Sequence, residues 1–148
     1  MPAERILHSI QISTIAHATD DLEKIQKALS ILLPESIKRK EIFSRRYMQG
    51  HHGNPIVTLN AKINRPAEVE QFRAHFTQLL PRSEKLMIER NLESYSDEEG
   101  NLYIRLDKQQ AFRGVFRLGD EDPIRVRLKF NRFSGETEEL IKKFLEFE

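Results

Sequence analysis

Arg125, Arg127 and Lys129 alternate with Ile124, Val126, Leu128 and Phe130, so one side of a short segment is apolar and the other carries only positive charge. A period of two over such a run predicts a half-buried strand. Side chains two apart on a strand stand about 6.6 Å from each other. A row of cations at that spacing, with no acid among them, makes a rail for phosphate groups. The same pattern also serves simply to keep a solvated sheet face from associating. A second constellation follows Leu102, Ile104 and Leu106, whose alternation places Tyr103 and Arg105 on an outer strand face. Lys108, Gln109, Gln110 and Arg113 come next, before Gly114. Guanidinium and amide groups suit phosphate and base-edge contacts, and a phenol ring offers a surface on which a base can stack. Gln109 and Gln110 equally well satisfy backbone groups around a short helix.

Gly50-His51-His52-Gly53-Asn54-Pro55 reads as a tight turn, with glycines free to take positive φ and a proline to fix direction. His51 and His52 invite a metal, but adjacent residues seldom converge on one ion and no third ligand lies close in sequence. Solvated imidazoles are the plainer expectation. Imidazoles that stack on bases, with Asn54 and the turn amides beside them to meet phosphates, are the functional one. His8, His17 and Asp20 could form a base and its orienter, yet His8 falls on an apolar face and Asp20 in a helix cap. No serine sits in a nucleophile elbow, and neither GxGxxG nor GxxxxGK[ST] occurs. Acid–base catalysis needs a desolvated carboxylate or histidine, and the sequence identifies none. The expectation is a protein that is not an enzyme and takes no metal or cofactor.

The chain has 148 residues, 39% hydrophobic and 32% charged, with no cysteine. That length predicts one domain across 1–148, and the missing cysteines exclude disulfides and thiolate chemistry. No segment has the layout of a signal peptide or the length of a membrane span, so a cytoplasmic protein without membrane contact is expected. Net charge is only +1, but it is unevenly distributed. Residues 37–47 hold five cations and one acid, and 103–132 hold eight and four. Residues 83–100 carry six acids against two cations, and 133–148 five against two. Segregation of this kind gives a molecule a basic side.

The remaining segments supply the frame. A strand over 5–18 is predicted to carry Ile6, His8, Ile10, Ile12 and Thr14 on one face, and Asp20 to cap the helix whose apolar stripe is Leu22, Ile25, Ala28, Leu29 and Leu32. The basic stretch 38–48 reads as a second strand of ambiguous register. Val57, Leu59, Ala61 and Ile63 mark a third, opposed by Thr58, Asn60 and Lys62. Helices follow from Pro66, from a Ser83 cap and from about Thr137, with a short one over 107–112 and a short strand over 115–118. Alternating rather than wholly apolar strands, separated by a few helices, predict an α+β fold: a mostly antiparallel sheet with helices packed on one face and the other face open and polar.

HATDDLEKI (17–25), GHHGNPI (50–56), LYIRLDKQQAFRG (102–114) and DPIRVRLKF (122–130) together resemble a family of archaeal proteins described as predicted exosome subunits or RNA-binding proteins. The resemblance extends over nearly the whole chain. It implies a curved antiparallel sheet backed by helices, like the ribosomal protein that contacts 5S rRNA, and work around RNA processing in the archaeal cytoplasm. The functional expectation is a non-catalytic RNA-binding protein, an accessory factor of the exosome. Arg125, Arg127, Lys129, Arg105, Lys108 and Arg113 would meet phosphates; Tyr103, Gln109, Gln110, His51, His52 and Asn54 would meet bases or backbone. Exosome subunits are further candidate partners. The alternatives are a protein–protein adaptor that uses the same basic face, or a homodimer that buries it.

Overall fold

Apolar residues at alternate strand positions can be hidden all at once only if the strands share one sheet and helices cover one side of it. The computed structural model, which describes residues 5–50 and 53–146, has this architecture. Its strands are β1 (Leu7–Ala16), β2 (Ser44–Gln49), β3 (Pro55–Ile63), β4 (Asn101–Leu106) and β5 (Ile124–Phe130). They form one sheet in the order β2-β3-β1-β5-β4, with every neighbouring pair antiparallel. The helices are α1 (Leu22–Ile31), α2 (Glu35–Lys38), α3 (Pro66–Leu79), α4 (Arg82–Arg90), α5 (Leu92–Tyr95), α6 (Lys108–Phe112) and α7 (Thr137–Glu146). The fold is α+β, as the alternation predicts.

The inward sheet positions are Ile10, Ile12, Leu59, Ala61, Ile63, Leu102, Ile104, Leu106, Ile124, Val126, Leu128 and Phe130, all buried. Against them lie Ile25, Ala28 and Leu29 of α1, Val69, Phe72 and Phe76 of α3, Ile88 of α4, and Leu140, Ile141, Phe144 and Leu145 of α7. Aromatic rings tie these layers together. Phe72 stacks on Phe76 at 5.3 Å, Phe76 meets Phe144 at 6.4 Å, and Phe144 meets the edge of Phe130 at 5.8 Å. Ring pairs at such separations add to the area they bury.

Several details depart from the sequence expectation. Leu7 pairs with Phe130 and Ser9 with Lys129, so β1 spends two residues where β5 spends one. That bulge inverts the alternation: Leu7 joins the core and His8 is pushed into water. His8 is therefore not a core histidine. Asp21, not Asp20, caps α1, accepting from the N–H groups of Glu23 at 3.0 Å and Lys24 at 3.4 Å. Pro81 rather than Ser83 precedes α4, and no side chain caps that helix. Lys38 ends α2 and Lys40 follows in the turn, so the basic stretch becomes strand only from Ser44. Residues 115–118 make a single bridge, Leu118 to Leu106, instead of a strand.

The ring chain sets a clear expectation for unfolding. Phe144→Ala should lower stability by about 3–5 kcal/mol, the usual loss for a buried aromatic. Phe133→Ala, at a fully exposed position, should change it by less than about 0.5 kcal/mol. Urea unfolding followed by circular dichroism measures both.

Candidate nucleic-acid interface

Strand register decides which polar side chains share the uncovered face. Arg127 of β5 stands between Gln11 of β1 and Tyr103 of β4, and Arg125 stands between Ser13 and Arg105. Lys129 faces Asn101. On the other side of β1, Gln11 faces Lys62 and Ser13 faces Asn60. The β2–β3 pairing adds Arg46 opposite Thr58 and Ser44 opposite Asn60. Arg46, Lys62, Arg105, Arg125, Arg127 and Lys129 thus lie on one surface, and no carboxylate stands on an outward strand position among the described residues. Ion pairs among those residues engage none of these cations. Cations directly opposite each other, such as Arg105 and Arg125, repel. The sheet tolerates this because water screens an exposed face.

The acidic carboxy-terminal helix does not reach these cations. Leu140, Ile141, Phe144 and Leu145 hold α7 against the opposite face. Its Glu138 pairs with its own Lys142.

One acid borders the basic face and has a defined role. Asp97, in the turn before β4, accepts the Tyr103 hydroxyl at 2.8 Å, the Asn101 side-chain amide at 3.0 Å, and the N–H groups of Asn101 and Glu99 at 2.9 and 3.0 Å. Burial alone would raise its pKa, but these donors outweigh it and hold the carboxyl at about 2. The Tyr103 hydroxyl is correspondingly pushed above its ordinary 10.0, chiefly by donating to that carboxylate and then by burial, with Arg127 pulling the other way. Tyr103 keeps 38% of its surface exposed while its tip is tied down. Between β1, β5 and β4 the face dips into a recess of about 230 Å³ lined by Gln11, Ser13, Tyr103, Arg105, Arg125 and Arg127. A larger depression of about 740 Å³ lies between the Asp97–Glu98 turn and the start of α7. Asp97, Glu98, Glu136, Glu138 and Glu139 line it against Arg132 and Lys142, so its net negative charge disfavours phosphate.

The expected site residues divide. Tyr103, Arg105, Arg125, Arg127 and Lys129 come together on the open face. Lys108 does not: at 2% exposure it is buried, and it is no surface contact for phosphate. Its Nζ donates to the Ile15 carbonyl at 2.6 Å and to Asp122 Oδ2 at 2.8 Å, and lies 3.7 Å from Asp20 Oδ2. His17 Nε2 stands 3.1 Å from the other oxygen of Asp122. Gln109, Gln110 and Arg113 belong to α6 and its end, which packs beside α1 in the helix layer rather than on the strand face. Asn54 is exposed at the tip of the β2–β3 hairpin, where its carbonyl accepts the Gly50 N–H at 2.6 Å and Gly53 takes φ +77°. His51 and His52 lie outside the described residues.

Arg46, Lys62 and Gln11 were absent from the expected set. Counting back across the Gly50–Pro55 turn would have placed Arg46, because Gln49 pairs with Pro55 and the register follows. His17, Asp20 and Asp122 also escaped notice as a group. They offer ligand atoms within 4.8 Å of one another, a spacing that suits a divalent ion. The Lys108 ammonium, however, already supplies positive charge beside both carboxylates. The cluster reads as a latch joining the end of β1 to α6 and the entry of β5. Asp122 itself holds φ +45°, a strained conformation for a residue other than glycine, and its two side-chain partners keep it there.

A family model described as RNA binding matches residues 9–130. The chain belongs to this RNA-binding family. It is 35% identical over 142 residues to the RNA-binding protein PAB1135 of Pyrococcus abyssi, covering 95% of this chain and 92% of that one. Among solved structures it resembles AF2318 from Archaeglobus fulgidus, a DUF54 protein, at TM-score 0.77 and 30% identity over 95% and 99% of the two chains. Mth689 of Methanothermobacter thermautotrophicus, also a DUF54 protein, is similar at TM-score 0.73 and 30% identity, again over 95% and 99%. The family match runs from within β1 to the end of β5 and so includes residues of every strand of the sheet.

The latch can be tested apart from the basic face. Lys108→Met should cost about 1–2 kcal/mol, since it strands the Ile15 carbonyl while leaving the half-exposed Asp122 partly hydrated. Burial raises the Asp122 pKa, but the hydrogen bonds from Lys108 and His17 win and lower it below 3.8. A carboxyl depressed on folding contributes stability above its unfolded pKa and loses it as pH falls through the folded one. The part of the difference that comes from the Asp122 carboxylate should therefore be full above about pH 5 and be lost in acid, leaving the part that comes from the Ile15 carbonyl. Thermal melts from pH 7 down to pH 2 measure it, and RNA affinity at neutral pH should change less than about twofold if Lys108 meets no phosphate.

Proposed function

We propose that this protein binds RNA without transforming it, laying the sugar–phosphate backbone across the open face of the sheet. The observation that carries the reading is the set of strand cations on that face, unaccompanied by carboxylates and unpaired among the described residues. Arg125, Arg127 and Lys129 make the central phosphate contacts, and Arg105, Lys62 and Arg46 extend them to either edge. Backbone contacts of this kind position nucleic acid and leave sequence to be read by other groups. Family membership supports RNA as the ligand, and so does the name of the Pyrococcus abyssi relative.

The finer reading is an accessory factor in the cytoplasm that brings RNA to degrading or processing machinery such as the exosome. It is supported by the resemblance of the four segments quoted above and by the binding groups on the open face. Copurification after nuclease treatment bears on it. Partners released by digestion are held through RNA, while partners that survive indicate direct docking.

Salt dependence tests the binding face. Each phosphate neutralised on a single strand contributes about −0.7 to the slope of log K against log salt. Replacing Arg125, Arg127 and Lys129 together by Gln should make the slope shallower by about 2 without lowering the melting temperature, since it relieves the repulsion between Arg105 and Arg125. An unaltered slope would mean that the RNA lies elsewhere.

A further inference from the structure

We propose that the recess between β1, β5 and β4 takes one unstacked nucleotide of a single-stranded RNA, with the base on Tyr103 and its phosphate among Arg105, Arg125 and Arg127. The inference rests on the RNA-binding reading above and adds the kind of RNA preferred. Arg105 and Arg125 stand directly opposite each other on neighbouring strands, with Arg127 one pleat away. That arrangement costs stability in the free protein, and a bound phosphate would turn the repulsion into shared charge-assisted hydrogen bonds. Among the described residues no carboxylate lines the recess to serve the same end.

Tyr103 forms the wall beside these guanidinium groups. A lone exposed tyrosine would lose rotamer freedom when a base settled on it. This one has already lost it, because its hydroxyl is tied to Asp97, itself anchored by Asn101 and Glu99. Asp97 is thus a positioning residue, and the ring is the contact. Gln11 stands on the opposite wall with its amide nitrogen donated to Asn60 Oδ1 at 2.9 Å. Its orientation is thereby fixed, which leaves its oxygen to accept from a base edge.

Only an unpaired base can enter such a recess. A duplex keeps its bases stacked inside and offers the face nothing but its backbone. The surface as a whole should therefore hold both forms by charge, with the recess rewarding the single strand alone.

The test uses a ten-nucleotide RNA with one 2-aminopurine, free or annealed to its complement, at fixed salt. The chain has no tryptophan, so the probe's fluorescence is read cleanly. The wild-type protein should quench it on the single strand. Base–aromatic stacking is worth about 1–3 kcal/mol, so Tyr103→Ala should weaken single-strand binding about 5- to 150-fold and abolish the quench. Duplex binding should change less than twofold. Tyr103→Phe, which keeps the ring, should retain most of the affinity and quench. If Tyr103→Ala weakens both RNAs alike, or neither, while the triple Gln variant weakens both, the recess proposal fails and RNA binding by the face stands. If Tyr103→Phe behaves like Tyr103→Ala, the hydroxyl rather than stacking is at work, and the proposal is again overturned. If the triple variant binds both RNAs like wild type, the face itself is misassigned.

Discussion

A single sheet with helices on one side must leave its other side to water, and that constraint governs everything else in this molecule. The apolar half of each alternation is consumed by the core, where Phe130, Phe144, Phe76 and Phe72 form a continuous run of rings from β5 through α7 to α3. The polar half has no covering layer among the described residues. Whatever stands at Gln11, Lys62, Tyr103, Arg105, Arg125 and Arg127 is therefore presented to solvent as a set, in fixed register. Burial of one face and recognition by the other are two results of the same period of two.

Charge follows the same division. The acids of the Asp97–Glu99 turn and of α7 collect at one end and on the helix side, where they pair locally, as Glu138 does with Lys142. The strand cations remain without such partners among the described residues. A chain of almost zero net charge can therefore carry a strongly positive surface, since a field at close range depends on arrangement and not on the total.

Elements with a strict alternation were legible before the structure was known: β3, β4 and β5 lie where their patterns put them, and the helices from Pro66 and Thr137 likewise. Readings that depended on partners distant in sequence were not. The bulge at His8 arises only because Leu7 and Ser9 pair with adjacent residues of β5, and nothing within β1 announces it. Lys108 looked like a surface cation because its neighbours are polar. Its amine is buried by the Ile15 carbonyl, 93 residues earlier, and by Asp122. The choice between Asp20 and Asp21 as the cap turned on which carboxylate was already engaged by the His17 N–H. The open face itself was foreseen through Arg125, Arg127 and Lys129. Its width across β3 and β2 required the hairpin register.

The border strand β2 differs from its companions in burying nothing: all six of its residues are exposed. It is held chiefly by its backbone ladder to β3, and such segments open at far lower free energy than strands lying under helices. Its adjacent arginines, Arg45 and Arg46, also discourage a foreign strand from adding to the sheet at that rim. The molecule thus combines an unyielding centre with a compliant margin, which lets a bulky, irregular polymer settle against it without distorting the core.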